Sequence, residues 1–167
     1  MGGASGCDDP FGLKATQTVA TDTSVAYAMT GTTASFPAGF NAATGGVTRI
    51  QADMAFDVAF DLTKDNKVRL IPAAAESDAS FATATQQVGL QAPSGAFDAV
   101  TKAPSSGYKR DSVVVVTTGQ PVVIEVNSDA CQFSLASLLY AKIVIDSVNT
   151  STRQIFFRAT RNPNCGF

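Results

Sequence analysis

Residues 53 to 62, Asp-Met-Ala-Phe-Asp-Val-Ala-Phe-Asp-Leu, alternate large apolar side chains with aspartate or alanine without a break. In an extended chain successive side chains point to opposite sides. Met54, Phe56, Val58, Phe60 and Leu62 therefore share one face, and Asp53, Ala55, Asp57, Ala59 and Asp61 the other. The pattern predicts a half-buried strand whose aspartates form a solvated face that discourages edge-to-edge association. Thr63-Lys64-Asp65-Asn66 supplies turn chemistry, and Lys67-Val68-Arg69-Leu70-Ile71 returns as a second strand. Pro72, which has no N–H to give to a ladder, ends this hairpin.

Further strands are predicted at 16–20, 23–30, 86–91, 112–118, 121–127, 140–148 and 153–160, all rich in Val, Ile, Thr and Phe. Thr117-Thr118-Gly119-Gln120-Pro121 and Val148-Asn149-Thr150-Ser151-Thr152 have the composition of tight connections. Between Cys131 and Tyr140 the apolar residues Phe133, Leu135, Leu138 and Leu139 do not alternate, so one or two helical turns compete there with a strand. Thr30 to Gly46 and Ala92 to Arg110, punctuated by Gly and Pro, are expected to be surface loops, where function most often resides. Roughly eight to nine short strands at this spacing predict an all-β, antiparallel β-sandwich, with a β-barrel as the alternative. A chain of 167 residues needs one core. The expected division is an N-terminal anchor or linker over 1–15 and a single β domain over 16–167.

Charged residues make up only 16% of the chain, and the net charge is −2. No Lys/Arg-dense run is present, so the electrostatic footprint of a nucleic-acid binder is missing. The charge is uneven: residues 1–100 carry five bases and ten acids, and residues 101–167 carry seven bases and four acids. That polarity is expected to reflect solvated strand faces, or to orient the domain against an acidic partner or an anionic lipid surface.

Three cysteines are present. Cys131, in Ser-Asp-Ala-Cys-Gln-Phe, and Cys165, in Asn-Pro-Asn-Cys-Gly-Phe, both occupy polar, turn-like settings near the C-terminus. They are the expected disulfide. It would fasten the tail to the segment before the last two strands and would place the protein in an oxidising compartment. Cys7 is then the odd one. The stretch Ala4-Ser5-Gly6-Cys7 resembles the processing site of bacterial lipoproteins, in which small residues precede a cysteine that is lipidated; Ala4 stands where that motif usually has Leu. The resemblance implies lipidation at Cys7, an extracytoplasmic location in the periplasm or on the outer surface, and attachment to a membrane through the lipid anchor.

The absence of histidine removes the commonest general base and metal ligand. Serine–histidine and cysteine–histidine nucleophiles are excluded, and three scattered cysteines do not make a zinc site. Asp53, Asp57 and Asp61 are spaced about 13 Å apart if they lie on one strand, too far for a glycosidase pair, for which roughly 5 to 9.5 Å is needed. Ser106-Gly107-Tyr108-Lys109 fits the Ser-x-x-Lys pattern of penicillin-recognising enzymes, but it sits in a Pro/Gly/Ser-rich loop without partner motifs, and chance accounts for it. The chain also has no Trp and only three Tyr, Tyr27, Tyr108 and Tyr140, a poor supply of aromatic platforms for sugars.

The expectation is therefore a non-enzymatic, lipid-anchored envelope protein acting as an interaction or structural module, with a protein partner in the envelope. One form of it is an extrinsic accessory subunit of a membrane complex. No catalytic residue, cofactor, metal ion or nucleic-acid partner is expected. A carrier of a small apolar ligand inside a β-barrel is the alternative.

Overall fold

Residues 15–50, 55–75, 87–134 and 136–166 are described in the structure, a computed structural model. They contain ten strands: β1 (Ala20–Tyr27), β2 (Gly39–Phe40), β3 (Val47–Thr48), β4 (Val58–Leu62), β5 (Val68–Pro72), β6 (Val88–Gln91), β7 (Val114–Val116), β8 (Pro121–Asn127), β9 (Leu138–Asn149) and β10 (Gln154–Asn162). They form two five-stranded sheets, a first in the order β1-β10-β9-β8-β6 and a second in the order β3-β2-β4-β5-β7. Every pairing is antiparallel. Both sheets keep their edges, so the fold is the expected sandwich and not the barrel.

The core lies between the sheets because each strand sends alternate apolar side chains inward. Phe40, Phe60 and Leu70 of the second sheet meet Ile124, Ile143 and Phe157 of the first, all fully buried. The Phe157 ring lies 4.9 Å from that of Phe60 and 5.7 Å edge-on from that of Phe40, so one side chain joins the two layers.

The hairpin forms as β4 and β5, with Asp61 opposite Arg69. Its second face departs from expectation. All five residues of β4 are buried, because Ala59 packs with Phe56, Ile71 and Ala73 in a small cluster outside the second sheet, flanked by Met29, Ile50 and Val113. Phe56 leaves the set of Val58 and Phe60 to join this cluster. Asp53 and Met54 lie outside the described residues.

Other differences have local causes. The two strands predicted over 16–30 are one, β1. Gly39–Phe40 and Val47–Thr48 are two-residue strands, too short to show a period. The turn at Thr117–Gln120 has Gly119 at φ 83°, and it carries the chain from β7 in the second sheet to β8 in the first instead of closing a hairpin. After a single 3-10 turn at Asp129–Cys131, capped by the Ser128 hydroxyl, no α-helix follows, and β9 begins at Leu138. Leu135 lies outside the described residues.

Candidate functional site

Asp57 and Asp61, read from the sequence as solvated, are only 1% and 3% exposed. Asp61 points away from the inter-sheet core into a ring of donors. The Thr30 N–H donates to Oδ1 at 3.1 Å and its hydroxyl to Oδ2 at 2.9 Å. Arg69, its cross-strand neighbour, reaches Oδ2 at 3.3 Å, and Arg153, from the turn between β9 and β10, stands 3.6 Å from Oδ1. Arg153 gets there from a left-handed backbone position, φ 55°, by laying its side chain over Gly31, where a Cβ would lie 3.1 Å from its Nε. One carboxylate thus ties strands of both sheets to the loop after β1. With both oxygens engaged it is a structural clasp.

Asp57 differs. Its Oδ2 accepts the Ala42 N–H at 2.6 Å, but its Oδ1 is buried without a hydrogen-bond partner. Burial raises its carboxyl from the ordinary 3.8 to about 6, and the Ala42 bond only partly opposes this. Among the described residues no group of three or more Asp, Glu or Cys side chains is placed to hold a metal ion. Ser106 and Lys109 are both exposed, and Lys109 is held through its backbone, which exchanges two 2.8 Å hydrogen bonds with Leu90.

That exchange belongs to a larger feature. The predicted loop at 92–110 runs as a strap over the outer face of the first sheet. Lys142 of β9 donates from Nζ to the carbonyls of Phe97 and Val100, both at 2.9 Å, and stands 4.4 Å from the centre of the Phe97 ring. Phe97 is 5% exposed, and Val123 and Val144 are buried although they face away from the core. At the far end Tyr108 lies on Gly89, where a Cβ would come within 2.8 Å of the tyrosine Cβ; only glycine admits this approach. Arg110 pairs there with the buried Glu125, whose other oxygen accepts the Tyr140 hydroxyl at 3.2 Å. Burial, and then the Glu125 charge, hold both the Tyr108 and Tyr140 phenols above their ordinary range.

Between the strap and the sheet lies an open groove of about 690 Å³. Val100 and Pro104 of the strap and Val123 of the sheet give it apolar walls; Tyr140, Lys142 and Thr160 give it polar points. Val19 and Gly166, from the two ends of the described chain, close one side. Those ends are fastened together. Cys131 and Cys165 are joined, with their Cα atoms 5.8 Å apart. One residue before Cys165, the buried Asn164 accepts the N–H groups of Thr16 and Gln17 at 2.7 and 2.8 Å and donates to the Gln17 carbonyl at 2.8 Å. Cys7 lies outside the described residues.

Sequence reading located the cysteine pair and the strap as a loop. It missed Asn164, Arg153, Glu125 and Lys142. The Asn-Pro-Asn-Cys turn was the one available signal for Asn164; the other three sit in ordinary strand or turn sequence. No family model, curated protein or solved structure matches the chain.

Proposed function

We propose that the chain is a non-enzymatic interaction module of an extracytoplasmic envelope, lipid-anchored through Cys7, which receives an extended segment of a partner protein in the strap groove. The observation that carries this reading is the groove: apolar walls, a tyrosine and a lysine at its margin, and Val19 at one side. Interface centres favour this mixture of apolar surface with tyrosine. The Cys131–Cys165 disulfide, with Cys131 fully buried, supports an oxidising compartment.

The test has two parts. Protein recovered from membranes after expression of the full gene is weighed intact, before and after reduction. A photo-reactive residue is then placed at Ser105, on the groove rim, or at the exposed Val115 of β7 as a control. A mass beginning at Cys7 with added acyl chains, together with one protein cross-linked from Ser105 and not from Val115, is the expected result. An unlipidated mass, or equal cross-linking from the two sites, overturns the reading.

The groove volume also falls among those of small-molecule sites, roughly 300 to 1,000 Å³, which favours carriage of an apolar ligand as the second reading. Phenylalanine and aliphatic side chains line the inter-sheet interior, so the groove is the place where such a ligand is proposed to sit. Native mass spectrometry showing a retained small molecule that is lost on Val123→Asp would move the assignment to carriage.

A further inference from the structure

The four sheet edges are unequal. β6 is covered by the strap, which bonds to Leu90 in both directions. β3 and β7 are two and three residues long. β1 is eight residues long, pairs with β10 without a register shift, and contains no Lys, Arg, Pro or Gly. It lacks the lysine, proline and bulge that commonly blunt an edge, and Asp22 is its one charge.

The parity of its backbone groups is fixed at one end. The Tyr27 N–H points away from β10 to the Pro37 carbonyl, while the Ala28 N–H points towards β10 to the Arg153 carbonyl. By the two-residue period, Thr21, Thr23 and Val25 also present their backbone N–H and C=O groups outward. No backbone partner among the described residues meets them. Thr21, Asp22 and Thr23 are exposed.

We propose that β1 is the pairing edge for a second copy of this chain, joined antiparallel about a two-fold axis at Thr23. Of the registers that match outward-facing residues, this one uses all three: Thr23 opposite Thr23 and Thr21 opposite Val25, giving about six ladder hydrogen bonds. It sets Asp22 opposite Ser24. A shift of one step towards Thr21 would set Asp22 against Asp22, a like-charge pair that disfavours it.

Apolar exposure supports the same choice. Val19 and Phe36, 49% and 43% exposed, are two of the four exposed large hydrophobic side chains among the described residues. They lie at opposite ends of β1, and Phe36 is stacked on Tyr27 with ring centres 4.4 Å apart. The two-fold pairing brings Val19 of each copy to the Tyr27–Phe36 stack of the other, and so covers both. The first sheets of the two copies become one continuous sheet. Because the contact is an edge with small apolar ends, below the size of a standard interface, the dimer is weak and depends on concentration.

The test uses the full chain with Cys7→Ser, so that only introduced thiols react. Sedimentation at rising concentration should show the mass double. Thr23→Pro, which removes an N–H that has no backbone partner among the described residues, should abolish the dimer while the thermal midpoint holds; Thr23→Lys, which sets two cations across the axis, should do the same without a backbone change. Thr23→Cys should oxidise to a covalent dimer, since residues paired at the axis have Cα atoms about 5.5 Å apart. Asp22→Cys should not. A chain that stays monomeric at its solubility limit, a dimer that survives both Thr23 variants, or equal coupling from positions 22 and 23 overturns the proposal. So does protection of the Thr21, Thr23 and Val25 amides from exchange in the monomer, which would mean that another strand already occupies the edge.

Discussion

Asp57 and Asp61 lie four residues apart on one stretch of chain and are almost equally buried, yet the fold treats them in opposite ways. Around Asp61 it assembles two guanidinium groups, a hydroxyl and a backbone N–H, drawn from three other parts of the chain. Around Asp57 it offers one backbone N–H and leaves an oxygen bare. Burial alone therefore does not decide what a carboxylate costs. Donors do, because an uncompensated charge in a poorly polarisable interior is penalised by several kcal/mol, whereas a fully hydrogen-bonded one loses little of what water gave it.

The contrast breaks most sharply at the satisfied end. Asp61→Ala removes the shared acceptor and leaves Thr30, Arg69 and Arg153 without it. Loss of one partner of a buried ion pair costs about 3–5 kcal/mol; the partial exposure of the two arginines, 38% and 28%, places the expected loss at the lower end of that range. Urea unfolding of the purified variant measures it. A loss under about 1 kcal/mol, the size of a surface pair, would show that the clasp is ornamental and that Asp61 and Asp57 are alike after all.

At the other end the charge itself is the liability, and pH reveals it. The Asp57 carboxyl is raised in the folded state, from the ordinary 3.8 to about 6. Below about pH 4 it is protonated in both folded and unfolded chains and imposes no charge penalty. As pH rises through the window between those values the unfolded chain ionises first, so folding stability falls; above about pH 6 the loss is complete, on the order of 2–3 kcal/mol. Asp57→Asn isolates this contribution, since the amide oxygen can keep the Ala42 bond and carries no charge. The wild type should lose stability relative to Asp57→Asn between about pH 4 and pH 7, and at pH 7 the variant should be more stable by about 1 kcal/mol, its buried NH₂ offsetting part of the gain. Parallel stability curves over that range would show that Asp57 is hydrated or paired in solution and that the asymmetry is not energetic.

The same two residues mark how far the sequence can be read. Period-2 alternation placed β4 and β5 and the inward set Val58, Phe60 and Leu62, because a pleated strand imposes that period whatever surrounds it. It could not tell that the opposite face would be covered. The cover is assembled from Met29, Ile50, Ile71 and Val113, none of which is adjacent to β4 in the chain, and the donors to Asp61 come from equally distant positions. Cys131 and Cys165 were legible because both stand in polar, turn-like settings, Ser-Asp-Ala-Cys-Gln-Phe and Asn-Pro-Asn-Cys-Gly-Phe. The strap was legible as a loop from its Gly and Pro, but not as a cover for the first sheet: its contacts with Lys142 and Glu125 are set by tertiary placement and leave no periodic trace. The β7–β8 turn shows the same limit, since turn chemistry specifies a reversal and not whether the chain returns to the same sheet.

The smallest expected effect separates the two arginines within the clasp. Arg69 is opposite Asp61 in the ladder, at 3.3 Å, but its side chain is 38% exposed; Arg153 is farther, at 3.6 Å, yet less exposed at 28%. Distance favours Arg69. Exposure and connectivity favour Arg153, which arrives from the other sheet over Gly31 and carries a buried Nε without a hydrogen-bond partner. If screening by solvent governs the strength of such pairs, Arg69→Met costs about 0.5 kcal/mol and its deficit shrinks in high salt, as for a surface pair. Arg153→Met should cost somewhat more, about 1 kcal/mol, and respond less to salt; the methionine keeps most of the packing over Gly31 and relieves the bare Nε, which holds the loss below that of Asp61→Ala. Urea unfolding of both variants at low and high salt orders them. The reverse order would mean that the hairpin pair, and not the bridge between sheets, supplies the compensation that Asp57 lacks.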